Sequence, residues 1–403
     1  MIELAAITTV DGLVGLRREW DALAGAAPDA GPFLSWPWVC ACARRLRGEL
    51  QVLVLRGDGG ELRAIIPLVR RGGCLEFIGA DRSIYLGVLA RAEDLAAAAQ
   101  AFAGWLRPSR DWRRVSLASL PAEQLHPLQA AVAQAGIAHR VMPGKPSYVM
   151  PLPDSPNAFA EGLPRSFRKR LDYYRRRLER ECRVEYRLCR PREDPAAMDQ
   201  FLRLHLLRTR DRGRKSRLAE SDFAEFAREA LSGMDGAASV GLLECDGRAA
   251  AALAGVDCGD TFYFWNGGFD PALAHYNVGD IIQRLTIETA IRAGSRRFDF
   301  LWGGEDYKLR WGAERRDTYR LEAERSRLRL AARAAGRAGL RDLRSAAGIA
   351  VRRLRAGAPA AGRCAGCAAG ALPPLGSARA GPPAPWGGPE LVERPPAGER
   401  EGL

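Results

Sequence analysis

The sequence predicts an α+β fold in two similarly built halves, each a mostly antiparallel sheet flanked by helices, and three observations carry that expectation. Asp246-Gly247 and Gly259-Asp260 are two-residue turn signals that join apolar runs into antiparallel strands; a helix and a further strand follow, an order that is not doubly wound. The same alternation of helix and strand patterns occurs on both sides of Pro151-Leu-Pro-Asp-Ser-Pro156, whose three prolines mark a linker. Beyond ~330 the composition turns to Ala, Arg, Gly and Pro, too poor in apolar bulk to build a core. With 403 residues, and ~100–200 per domain, the chain has room for two cores. The expected organisation is therefore a first domain over 1–150, a second over 151–325, a basic amphipathic helical segment over 326–358 and a disordered tail over 359–403.

In chain order, helices are expected over 13–23 and over 33–46, the latter opened by Ser35 and Pro37. Strands over 50–56 and 62–69 join through Gly57-Asp-Gly-Gly60 as a hairpin. An Ala-rich helix over 95–106, a strand over 114–118, a helix over 122–135 and a strand at 148–150 complete the first half. In the second, a basic helix covers 165–181 and a strand 183–189, with helices near 195–210 and 221–232. Strands over 239–245, 249–256 and 261–267 lead to a loop at 269–277, a helix over 278–293 and strands over 297–301 and 318–323.

Charge is unevenly placed. The formal net charge is +13, yet 165–217 alone holds 19 Lys/Arg and 8 Asp/Glu, and 331–363 holds 8 Arg and one Asp. These stretches carry +11 and +7, so the rest of the chain is mildly acidic. An anionic cofactor is expected to account for part of that charge, and nucleic acid is not an expected partner outside an alternative that uses tRNA. Nine Cys, an odd number, follow no secretory-type start, so reduced thiols and a cytoplasmic location are expected. No apolar run reaches the ~18 residues of a membrane span. Peripheral membrane contact is expected through 328–355. Cys364 and Cys367 have zinc-knuckle spacing but no second pair, and the His residues lack ligand spacing, so no metal is expected.

Three stretches carry chemistry. Phe167, Leu171, Tyr174 and Leu178 form one apolar stripe on a helix whose other faces are filled by Lys/Arg, including Arg168; cations at a helix start oppose its dipole, so an external anion is the expected reason. Tyr276, Asn277, Val278, Gly279 and Asp280 lie between a strand and an amphipathic helix, where free backbone N–H groups suit a pyrophosphate. The third runs from Phe298 through two glycines to Glu305, Asp306, Tyr307, Lys308 and Trp311. Glu305 or Asp306 is suited to take a proton from an amine, Tyr307 to give one to a leaving thiolate, and Lys308 to stabilise an oxyanion or bind phosphate. Trp265, Asn266, Arg168 and Trp311 are assigned to substrate binding.

The order of these stretches resembles the GNAT acyltransferase superfamily, in particular its CelD-like group associated with cellulose or exopolysaccharide synthesis, and more distantly the Fem-type aminoacyl transferases. The resemblance rests on Glu19-Trp20-Asp21-x-Leu23, Pro32-Phe33-Leu34-Ser35-x-Pro37-Trp38 and Ile66-Pro67-Leu68 in the first half. In the second it rests on the basic helix, Tyr263-x-x-x-Asn266-Gly267, Asn277-Val278-Gly279, Phe298-Asp299-Phe300 with Gly304, and Tyr307-Lys308-x-x-Trp311. It implies two tandem GNAT-like domains, the second holding acetyl-CoA or another acyl-CoA between splayed strands at 261–267 and 296–301, with the pyrophosphate on the 275–280 loop. Tyr307-Lys308 matches the aromatic-Lys pair at the Fem-type transfer site. The loop lacks the usual Gln/Arg-x-x-Gly-x-Gly/Ala, and strand 261–267 has no Glu, so Glu305, Asp306 or a water takes the place of the base. The implied activity is N-acyl transfer to an amine of an amino-sugar, nucleotide-sugar or lipid-linked saccharide. The alternatives are transfer from aminoacyl-tRNA and a non-catalytic accessory role in polysaccharide synthesis.

Overall fold

In the computed structural model the described residues are 3–27, 30–303, 305–333 and 335, with the side chain of Glu305 left aside. The chain opens with β1 (Glu3–Ile7), α1 (Val10–Gly15), α2 (Arg17–Ala26) and α3 (Trp36–Ala43). Then come β2 (Glu49–Arg56), β3 (Leu62–Arg71), β4 (Cys74–Phe77), β5 (Leu89–Ala90), α4 (Leu95–Leu106), β6 (Arg114–Leu120), α5 (Ala122–Gln134), β7 (Ala138–Pro143) and β8 (Ser147–Pro151). The second half holds α6 (Pro156–Gly162), α7 (Arg165–Glu181), β9 (Val184–Cys189), α8 (Pro195–Asp211), α9 (Ser221–Gly233), β10 (Ala238–Cys245), β11 (Arg248–Cys258) and β12 (Thr261–Phe269). It closes with α10 (Val278–Arg292), β13 (Arg297–Asp299), α11 (Glu305–Arg310), β14 (Glu314–Arg316) and β15 (Tyr319–Glu324).

The α+β class holds, with two sheets of matching design. One runs β1-β2-β3-β4-β6-β15-β7, with β5 on β3; the other runs β9-β10-β11-β12-β13-β8-β14. Each contains one parallel pair, β4 with β6 and β12 with β13, among antiparallel neighbours. The boundary at 150/151 needs correction at the level of strands. β8 pairs with β13 and β14 in the second sheet, whereas β15 pairs with β6 and β7 in the first. Each half therefore lends its last strand to the other. The 151–156 stretch is not a linker: Pro151 ends β8 opposite Arg297, and Pro156 opens α6 behind Ser155, whose Oγ accepts from the Ala158 N–H at 3.2 Å. Proline is tolerated at both kinds of position because neither demands its missing N–H.

Packing follows the same interleaving. Trp38 of α3 sits edge-on to Phe33 (5.0 Å), Phe226 of α9 (5.0 Å) and Trp265 of β12 (6.1 Å), so one apolar core is continuous across both halves. Its indole N–H donates to Ser83 Oγ at 2.8 Å, which removes the cost of burying it. A second core lies beneath α7 and α10. Phe167, Leu171 and Leu178 of α7 are buried there, each removal from water stabilising by roughly 1.5–3 kcal/mol. The expected helix over 33–46 is a 3-10 turn at Pro32–Leu34 followed by α3, and the one over 13–23 breaks at Leu16. The segment expected over 326–358 is described only through 333 and at 335; the tail over 359–403, with Cys364 and Cys367, lies outside the described residues.

Candidate functional site

Strands β12 and β13 run parallel through Thr261↔Arg297, Phe262↔Phe298 and Tyr263↔Asp299, and their pairing ends there. The separation is built by a turn. The Phe300 N–H donates to the Tyr148 carbonyl at 2.8 Å, turning towards β8, and Leu301 takes a left-handed φ of 54°. Asp299 caps this turn: its Oδ1 accepts from the Leu301 N–H at 2.7 Å, while its Oδ2 accepts from the Tyr85 hydroxyl at 2.6 Å. Tyr85 comes from the first half, between β4 and β5, with its own φ of 54°; its hydroxyl also meets Ser147 Oγ at the start of β8. Three distant stretches thus converge on one carboxyl.

A cleft lies beside this cluster, lined in part by Tyr85, Tyr263, Glu123, Gln124 and Arg316. Arg316 lies 5.0 Å from the Tyr85 ring centroid and pairs with Glu123. Burial pushes the Asp299 carboxyl up to about 6, against the lowering effects of the Tyr85 and Leu301 hydrogen bonds and of the Arg316 and Lys308 charges. Burial also raises Tyr85 and Tyr263, helped by the charge on Asp299. At neutral pH the site therefore holds an ionised carboxylate of raised basicity beside two protonated phenols, a combination suited to receiving a proton from an amine.

The 275–280 stretch and the basic helix do come together. A 3-10 turn (Pro271–Tyr276) leads to Asn277, left-handed at φ 56°, and then to α10. Arg177 of α7 lies over the Tyr276 ring at 5.0 Å, and Arg170 approaches Asp280 at 3.9 Å. Asp280 is buried and accepts from Asn277 Nδ2 at 2.8 Å, so part of the positive helix end is already answered by the chain's own carboxylate. Val278 and Gly279 are buried as well. The charged groups gathered at this loop are Arg170, Arg177 and the opening turn of α10, with the Asp280 carboxylate among them.

Several expected side chains have other places. Tyr307 and Lys308 lie on α11 and not in an open loop, and both are buried. Lys308 Nζ donates to the Leu301 carbonyl at 2.7 Å and lies 5.2 Å from the Tyr148 ring, so it fastens the turn that Asp299 caps instead of facing a substrate. Tyr307 packs edge-on against Phe300, and burial drives its hydroxyl upward, which disfavours phenolate. Asp306 is exposed, while Gly304 and the Glu305 side chain lie outside the described residues. The four residues assigned to substrate binding are all engaged with other parts of the protein. Trp265 fills the core between Trp38 and Phe201, and Asn266 is buried at an irregularity in the β11/β12 register, its Oδ1 accepting from the Gly267 N–H. Trp311 stacks on Phe159 and meets Phe167 edge-on, and Arg168 donates to the Ala160 carbonyl at 3.3 Å. Sequence reasoning missed Tyr85, Ser147 and Arg316 and named Asp299 only within a motif, with no role of its own; an acid inside the apolar run Phe298-Asp299-Phe300 was the available signal. Among the described residues no group of three His, Cys, Asp or Glu is arranged to hold a metal, and no helix is long and apolar enough to cross a membrane.

The strand separation and the helices beside it lie in the part of the chain that a family model covers. A family model described as an acetyltransferase (GNAT) domain matches residues 165–309, the stretch that contains α7, α10, β12 and β13. Among solved structures the chain is similar to FemX, with 12% identity, 81% of this chain and 98% of that one covered, and a TM-score of 0.57. It is also similar to the C-terminal domain of a putative lysylphosphatidylglycerol synthetase from Agrobacterium fabrum (12%, 80% and 95%, TM-score 0.52). A conserved protein of unknown function from Bacteroides thetaiotaomicron is comparable (13%, 80% and 100%, TM-score 0.52). At these identities the likeness is one of fold. No curated protein matches the chain.

Proposed function

We propose that the protein is an acyl-CoA-dependent N-acyltransferase acting by direct attack of an amine in a ternary complex, with an amino-sugar or polysaccharide precursor as acceptor and acetyl-CoA as the first donor to try. The observation that carries this reading is the parting of β12 and β13 after Tyr263 and Asp299, beside a carboxyl of raised basicity. The edge of β12 beyond Tyr263, released from β13, is where backbone donors would meet a thioester oxygen as charge develops on it. The donor's phosphates would lie by Arg170 and Arg177 at the start of α10. As the amine nitrogen bonds to the acyl carbon, its proton passes to Asp299 through Tyr85 or a water, the carbon–sulfur bond breaks and the thiolate leaves.

Calorimetric titration with acetyl-CoA and desulfo-CoA tests the donor. Saturable heat with either supports the reading. Silence with both, together with amino-acid transfer from aminoacyl-tRNA, would replace it by the aminoacyl reading that the likeness of fold to FemX keeps in view.

A further inference from the structure

The loop between β4 and β5 carries Tyr85 from the first half to Asp299. Tyr85 takes a left-handed φ of 54° there, a conformation that a residue with a Cβ keeps only where surrounding contacts enforce it. Three of these contacts come from the first half. The Ile78 N–H donates to the Pro67 carbonyl at 2.8 Å, the Trp38 indole to Ser83 Oγ at 2.8 Å, and the Leu86 N–H to the Ser119 carbonyl at 3.1 Å.

The second half adds a clamp. Arg217, in the 3-10 turn Arg217–Ala219 ahead of α9, donates from Nη1 to the Asp81 carbonyl at 3.0 Å and from Nη2 to Asp81 Oδ2 at 3.0 Å. Arg82 closes on the same carboxylate through Nε and Nη2, at 3.2 and 3.0 Å. Both guanidinium groups also lie over α9: Arg217 is 4.3 Å from the Phe223 ring centroid, and Arg82 is 5.4 Å from Phe223 and 4.7 Å from Phe226. One planar fork thus grips the backbone and the side chain of a single residue, which fixes direction as well as distance.

This clamp is separate from the groups that act on Asp299 directly. Facing that carboxyl are the Tyr85 hydroxyl, the Leu301 N–H and the charges of Arg316 and Lys308, with Ser147 and Tyr263 beside the phenol. Asp81 and Arg217 act on the loop instead. The quantity open to them is where Tyr85 puts its hydroxyl, and a bond of 2.6 Å to a carboxylate weakens steeply when its donor is turned or withdrawn.

We propose that Asp81 and Arg217 are positioning residues, whose contact across the two halves holds the loop so that Tyr85 reaches Asp299. The catalytic consequence rests on the reading of Asp299 as the base; the positioning does not.

The test requires neither donor nor acceptor. Carbon-detected NMR follows the Asp299 carboxyl of the full chain from about pH 4 to 8, its signal assigned by loss in Asp299→Asn. Tyr85→Phe should raise the midpoint by roughly one pH unit, because a hydrogen bond to the charged form is lost. Arg217→Gln should raise it by roughly half as much or more. In the Tyr85→Phe background Arg217→Gln should add nothing, since its route through the phenol is gone. Arg44→Gln removes a different ion pair between the halves, with Glu229 of α9, and should leave the midpoint in place. An unmoved midpoint in Arg217→Gln overturns the inference. A shift that persists without the Tyr85 hydroxyl overturns it in favour of a direct charge effect, and one that Arg44→Gln reproduces overturns it in favour of general loosening. Where Arg217→Gln does not fold, Asp81→Asn takes its place under the same criteria. With a donor bound, the same ranking of variants should appear in the acid limb of kcat/KM while the donor KM holds; absence of any transfer refutes the reading of the base and leaves the titration to decide the positioning.

Discussion

Asp299 concentrates the chemistry of the site in one carboxyl. Its value of about 6 in the folded protein stands above the ordinary 3.8 because the charged form is desolvated. A raised folded value means that its stabilising contribution is fully present below ~3.8 and is lost as pH rises through about 6, a change of about 3 kcal/mol. Asp299→Asn should therefore gain on the native protein by about that amount between pH 4 and 7, read as the difference between the two urea-unfolding profiles. If the carboxyl is the base, the same variant should lower kcat/KM by about 10²–10⁴-fold and remove the ionisation near 6 from the pH–rate profile. Tyr85→Phe removes a hydrogen bond that holds Asp299 down, so that limb should move to higher pH. Lys308 acts as a positioning residue. Lys308→Met leaves the buried Leu301 carbonyl without its donor and should cost about 1–3 kcal/mol in denaturant unfolding while also raising the Asp299 ionisation.

Between elements, the tightest constraint is where α8 crosses β12. A Cβ at Gly268 would run into the backbone of His205, and neither a strand in mid-sheet nor a helix packed on it can yield cheaply. Gly268→Ala should destabilise by roughly 2 kcal/mol or more in chemical denaturation and displace α8, seen as shifted amide signals of 201–211. Individual elements were largely legible in the sequence. α7, α8, α9 and α10 begin and end within a residue or two of expectation, because Phe167, Leu171 and Leu178, or Val278, Ile281, Ile282 and Leu285, mark a period that requires no tertiary knowledge. β1, β4, β5, β7, β14, α6 and α11 were not foreseen. β5 has two residues, β4 has four behind Gly72 and Gly73, and β7 is half-exposed along most of its length, so none displays a clear alternation.

At the scale of the whole molecule the reciprocal lending of β8 and β15 makes the two halves interdependent. Residues 1–152 alone lack β15, which holds β7 to the first sheet; residues 153–325 alone lack β8, which holds β14 to the second. Each piece should fail to unfold cooperatively by itself, and mixing the two should restore a cooperative transition and tertiary circular dichroism, a complementation that two self-contained domains would not require. The edge-on packing of Trp38 against Phe226 and Trp265 adds to that expectation, since separation exposes a continuous apolar core. By itself the sequence determined the α+β class, the order of the principal helices and strands, and the gathering of charge on α7, since these depend on local periodicity and composition. Only the tertiary structure decided which strand lies beside which, that Tyr85 reaches Asp299 across 214 positions of chain, and that Lys308 turns inward while Arg165, Lys169, Arg176 and Arg180 remain outside. The physical reason is that strand pairing and burial are fixed by contacts between distant segments, and a residue's own neighbours in sequence do not contain them.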